Sequence, residues 1–393
     1  MACPEGFQGV RRYSGDMHGS TGRSRARALS VILVLILPIG CGPNRATSPP
    51  PSAIATEQAP SSSPSVAPSA SPSPTVEPTE LAQWTRVTAS GAAPTAREGQ
   101  TWTVDPSSAV AYLFGGRSGT TALNDLWAYD LTSDAWTKLT PKGALPPARS
   151  DHVAAWIDGL GVVVAGGSSG TAVLDDLWTY DPQANAWRTL ATSGARPAAR
   201  AGACAAVRTD GRLWLTGGAD GHTMFADTWS YDPGPSAWTK LTVSGTTPEA
   251  RDGAVCWWTV DDRLAVFGGR GASTAALGDL WTLQGAGTVG PQWLSGPTVG
   301  AQPRTRSSAA VAADSVLVVG GSGADGAPLS DVVAFDAQTL AATTFASGGS
   351  AGAAPPARAG SSLVNDPEGE RQVSFGGRAA SGPTAELWSL SLP

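Results

Sequence analysis

Six arginines recur at near-even spacing along a chain of 393 residues: Arg97, Arg149, Arg200, Arg251, Arg306 and Arg358, each read as the end of a Pro-x-x-Arg motif. A guanidinium is planar, permanently charged and forked, so a repeated set of them suits carboxylates and other anions. Glu98, Asp151 and Asp252 stand one or two residues beyond three of these arginines, which would make the array mixed in sign. Two readings follow. Either the arginines face a common ligand, or each pairs with a carboxylate of its own repeat, such as Asp125 or Asp176, and fixes local structure.

Other chemistries find little support. Beyond the leader the histidines are His152 and His222, and there is no His-x-x-x-His pair, no Cys-x-x-Cys and no Gly-x-Ser-x-Gly elbow. A metal or other cofactor is therefore not expected. Cys204 and Cys256 lie four and five residues after their repeat arginines. Alternation along a strand would send those offsets to opposite faces, so two free thiols are expected rather than a disulfide.

The elements that position the arginines are read from a second repeat. Gly-Gly occurs at 115, 166, 217, 268, 320 and 376, with intervals of 51, 51, 51, 52 and 56 residues. Each doublet follows an apolar run such as Val162-Val163-Val164-Ala165. About ten residues later comes an acid followed by an apolar pair: Asp125-Leu126-Trp127, Asp176-Leu177-Trp178, Asp227-Thr228-Trp229, Asp279-Leu280-Trp281, Asp331-Val332-Val333 and Glu386-Leu387-Trp388. A second tryptophan follows at 136, 187, 238 and 293. Short apolar runs bounded by Gly, Pro, Asp and Ser indicate strands, four to each copy. Four-stranded antiparallel units repeated about an axis make a β-propeller. Most of the tryptophans then pack between blades.

This pattern resembles the Kelch repeat family over Trp84 to Pro393. The expected fold is all-β, a six-bladed β-propeller of four-stranded Kelch blades. The sixth copy ends after Glu386-Leu387-Trp388-Ser389-Leu390 without a fourth strand, and Gln83-Trp84-Thr85-Arg86-Val87 reads like the fourth strand Ala135-Trp136-Thr137-Lys138-Leu139. The N-terminal segment is therefore expected to complete the last blade. Departures from the repeat fall at Gln284 to Pro291 and at a turn expected over Ser347 to Ala354. In Kelch proteins that bind acidic peptides, arginines at the matching Pro-Arg position line the pocket, so the resemblance implies that role for the six arginines here. Some related propellers resemble copper-radical oxidases, whose chemistry needs more histidines than this chain carries.

Residues 1–80 are of another kind. Arg23, Arg25 and Arg27 precede the apolar stretch Ala28 to Leu37 and then Pro38-Ile39-Gly40-Cys41. This reads as a signal peptide over 1–40, with Met17 as an alternative start, and it resembles a bacterial lipoprotein signal with Cys41 as the lipidated residue. Residues 41–80 are dominated by Pro, Ser, Ala and Thr and are expected to form a disordered linker to a propeller over 81–393. The formal charge is −6; residues 1–40 carry five Arg and two acids, so the remainder carries −9. An acidic chain without a clustered Lys/Arg tract is not a general nucleic-acid binder.

Together these readings predict a monomeric, non-catalytic binding or scaffolding module of a bacterial cell envelope. It would lie outside the cytoplasm, either secreted or lipid-anchored, with membrane contact only through Cys41. Its partner would be a protein or an anionic small molecule held at the propeller mouth. The alternative is an enzyme, since certain Kelch propellers resemble sialic-acid mutarotases; Glu98, Asp151 or Asp252 would then supply an acid or base.

Overall fold

The computed structural model describes residues 81–393 apart from 289, 313, 350–353 and 369–370. The signal peptide, lipidated Cys41 and linker expected over 1–80 lie outside the described residues. Among the described residues every regular element is a strand.

The first four copies of the repeat each form a separate four-stranded antiparallel sheet with sequential strand order. Thr101–Asp105, Val110–Phe114, Leu126–Asp130 and Ala135–Leu139 build the first. The second strand of a copy is the most completely buried, as in Gly161–Ala165, because it lies in mid-sheet with both faces covered. The outermost strands bury one tryptophan and leave its neighbours exposed, as in Ala186–Thr189.

The fifth and sixth copies share one eight-stranded sheet. Leu81–Arg86 joins them. It runs antiparallel to Leu387–Ser391, with Trp84 opposite Leu390, and parallel to Ala342–Gly349, with Leu81 opposite Ala346. The N-terminal segment thus occupies the expected place beside the last strand, and it also covers the edge of the preceding copy. The segment expected to be a turn from Ser347 begins instead as strand. Its extra residues lengthen the outer strand of copy five far enough to pair with Leu81–Arg86.

The first strands of successive copies touch in a cycle: Thr101–Asp105, Val153–Ile157, Ala201–Val207, Val255–Trp258, Ser308–Val311, Ser362–Asn365 and back to Thr101–Asp105. Such a nearly closed array of sheets fits a β-propeller. Apolar clusters fill the gaps between neighbouring sheets; in one of them Trp102, Trp136 and Phe375 pack together, with Trp102 stacked on Trp136 at 5.4 Å between ring centroids.

The glycine doublets lock this array. The second glycine of each of the six repeat doublets donates its N–H to the carbonyl of the next copy's arginine. Gly116 bonds Arg149, Gly167 Arg200, Gly218 Arg251, Gly269 Arg304, Gly321 Arg358 and Gly377 Arg97, all at 2.8–2.9 Å. The first glycine lies at φ near +60 to +70°, and a Cβ there would stand about as close as 2.5 Å to that same carbonyl. Only glycine permits both the backbone conformation and the approach.

Candidate functional site at the channel mouth

The doublet contacts identify the repeat arginine of the fifth copy as Arg304, not Arg306. With that correction, all six repeat arginines make one constellation. Arg149 donates to both oxygens of Asp176 at 2.7 Å, to the Gly166 carbonyl at 2.9 Å and, through Nε, to the Pro147 carbonyl at 3.0 Å. Arg97 pairs likewise with Asp125, Arg200 with Asp227, Arg251 with Asp279, Arg304 with Asp331 and Arg358 with Glu386. The guanidiniums are buried, Arg97 and Arg149 completely. Their donors are spent on carboxylates and glycine carbonyls, so the paired arrangement holds and no ring of free cations forms from them.

The same carboxylates explain the Asp-x-Trp spacing. Trp127 Nε1 donates to Asp125 at 2.7 Å, and Trp178, Trp229, Trp281 and Trp388 do the same to the acid two residues earlier. Burial would raise the Asp125 and Asp176 carboxyls, but the arginine pairs and the indole bonds more than offset it and hold both below the usual range.

A different set of groups gathers at the mouth. Two residues beyond each repeat arginine, six N–H groups form a closed chain of hydrogen bonds at 2.7–2.9 Å: Asp151 donates to Gly99, Gly202 to Asp151, Gly253 to Gly202, Arg306 to Gly253, Gly360 to Arg306 and Gly99 to Gly360. All six lie at positive φ, 53–66°. Four are glycine. The other two, Asp151 and Arg306, hold a conformation that costs an L-residue roughly 1–2 kcal/mol. Both side chains belong to the mouth cluster.

That cluster centres on Glu98, only 1% exposed. Arg306 donates to it at 3.0 Å, Arg117 at 3.2 Å and Arg378 at 3.3 Å, and Arg306 and Arg117 each reach Asp151 at 3.4 Å. Burial pushes the Glu98 carboxyl up, yet Arg306 and Arg117 outweigh burial and hold it below its ordinary value. Asp252 stands apart from this group, paired with Arg270 at 2.6 Å. Two cavities of about 380 and 450 Å³ open here and share Arg117, Ser168 and Arg306 in their walls. Arg117, Arg270, Arg306 and Arg378 outnumber Glu98, Asp151 and Asp252, so the mouth carries a surplus positive charge on an acidic chain.

Of the residues singled out in the sequence, the structure brings together Glu98, Asp151 and Arg306 and leaves Arg97, Arg149, Arg200, Arg251 and Arg358 buried against the acids of their own copies. Arg117, Arg270 and Arg378 escaped notice. Each directly follows a glycine doublet, and Glu98 bridges Arg117, Asp252 bridges Arg270 and Ala359 bridges Arg378 across the same step of their copies. The residue after Gly-Gly was the available signal.

The family model of the KLHDC2/KLHL20/DRC7 Kelch-repeats domain matches residues 75–269 and 236–393. The chain belongs to the Kelch-repeat family. Similar proteins include the serine/threonine-protein phosphatase BSL2 of Arabidopsis thaliana, 31% identical over 209 residues, which are 52% of this Kelch chain and 20% of that protein. Acyl-CoA-binding domain-containing protein 4 of the same plant is 31% identical over 192 residues, 47% of this chain and 28% of the relative. The match thus spans less than a third of either relative's length.

His152 sits just below the mouth of the Kelch array. It is buried, with Nε2 2.7 Å from Thr101 Oγ1 and its ring edge-on to Phe114. Burial, reinforced by the nearby Arg149 charge, holds its pKa well below the ordinary 6.5. The folded state therefore keeps it neutral while the unfolded chain takes up a proton below pH 6.5. Stability from this group is complete above pH 6.5 and is lost as pH falls, by about 1.4 kcal/mol per pH unit. Urea midpoints taken from pH 7.5 to 5 should fall more steeply for the wild type than for His152→Gln; equal slopes would refute this assignment.

Proposed function

We propose that this Kelch chain is a six-bladed propeller whose mouth binds an anionic group of a protein or small-molecule partner without catalysing a reaction. The Kelch-repeat domain itself points to a non-catalytic protein-interaction module. The carrying observation is the pair of exceptions in the hydrogen-bonded chain of the mouth. Where four copies place glycine, Asp151 and Arg306 accept backbone strain and present charged side chains to the cavity. Strain retained at a cavity is characteristic of sites under functional demand. Proton-transfer catalysis is less well supported, because Glu98 is enclosed by three guanidiniums and held ionised. The same proposal places the propeller outside the cytoplasm of a bacterium, tethered through Cys41 and its linker.

Arg306→Gly separates binding from folding. Glu98 keeps Arg117 and Arg378 as partners, and the positive φ becomes free of cost, so the melting midpoint should hold or rise. On an array of short Glu- and Asp-rich peptides, the wild type should retain ligands in a salt-sensitive manner and the variant should bind at least about tenfold more weakly. Peptides held equally by both proteins would contradict the proposal.

A further inference from the structure

Cys204 and Cys256 were expected on opposite faces, yet they meet. They lie on the first strands of copies three and four, Ala201–Val207 and Val255–Trp258, which touch. Alternation governs side chains along one strand; it does not fix how a strand of one sheet faces a strand of the next. The Gly253 N–H donates to the Gly202 carbonyl at 2.7 Å, pinning the strands together just before the two cysteines. Cys204 is buried beside Trp214, Val266 and Trp293, and Cys256 packs against the same cluster. Both are free thiols, and both wall a cavity of about 230 Å³ shared with Ser307 and Ser361.

We propose that Cys204 and Cys256 form a reversible disulfide that staples copy three to copy four when the chain meets a small disulfide oxidant. In the first step one protein thiolate attacks a sulfur of the small disulfide, giving a mixed disulfide and releasing one small thiolate. The second protein sulfur then displaces the other small thiol as the Cys204–Cys256 bond forms. Two electrons and two protons pass from the protein thiols to the small disulfide, which leaves as two thiols. Burial, and then the adjacent Cys204, push the Cys256 thiol well above its usual range.

The test is to incubate the folded full chain with hydroxyethyl disulfide and map the products by peptide mass. A Cys204–Cys256 cross-linked peptide should appear, with loss of two hydrogens and full reversal by dithiothreitol. The melting midpoint should rise on the order of 10 °C, because the bond closes a long loop between the copies. Cys256→Ser and Cys204→Ser should each give no cross-linked peptide and no rise in melting midpoint with the same reagent. Two thiols that remain free, or mixed disulfides that accumulate on the wild type without a cross-link, would overturn the proposal.

Discussion

Replacing Arg149 with alanine should destabilise the Kelch array by about 3 kcal/mol or more in urea unfolding. The guanidinium is fully buried and makes four bonds: two to Asp176 and one each to the Gly166 and Pro147 carbonyls. Its loss leaves the Asp176 carboxylate with the Trp178 indole donor but without its paired cation, and it leaves the Gly166 carbonyl without that bond. Asp176 is partly exposed, so water recovers some of the penalty and the cost belongs at the lower end of the range for broken buried pairs. Arg149→Lys should fall between, since a single ammonium cannot fork to both carboxylate oxygens. A loss below about 1 kcal/mol for alanine would mean that the pair is not structural. Set beside the neutral or stabilising effect expected of Arg306→Gly, the result separates the two classes of arginine.

Those two classes could not be separated by motif alone. Pro-x-x-Arg pointed to Arg306 in copy five because Pro303 lies three residues earlier, but Pro303 directly precedes the true repeat arginine, Arg304. The distance to the acid was the better guide. It is 27 or 28 residues in every copy when Arg304 is used and 25 when Arg306 is. The strands and the role of the N-terminal segment were legible because each depends on local apolar runs and turn residues that recur in register. The mouth was not, for a physical reason. A frame repeated in every copy must put the same residues at the same places, whereas a binding site on that frame is made where copies differ. Arg117, Arg270 and Arg378 occupy a position that is Ser168, Ala219 or Ser322 in the other three copies, so they form no part of the pattern common to all six. The meeting of Cys204 and Cys256 was hidden similarly, since it depends on the packing of two sheets rather than on either strand.

Removing residues 81–90 should be the most damaging change to the array, and Trp84→Ala should reproduce much of it. Leu81–Arg86 pairs on both edges, and the Val87 N–H adds a bond to the Leu387 carbonyl at 3.0 Å. Trp84 is 1% exposed and packs with Leu317, Val319, Leu363 and Trp388 from the fifth and sixth copies. Truncating a buried tryptophan costs about 3–5 kcal/mol. The indole N–H of Trp84 has no hydrogen-bond partner among the described residues, so its contribution is one of shape and apolar area. Trp84→Phe should accordingly cost much less, about 1–2 kcal/mol. Amide exchange locates the damage. In Trp84→Ala, the amides of Leu387–Ser391 should lose protection before those of Gly161–Ala165, because the first strand group depends on the closing segment and the second does not. Uniform loss of protection would show that the chain unfolds without a weak joint there, and an unchanged melting curve on deletion would show that the segment closes nothing.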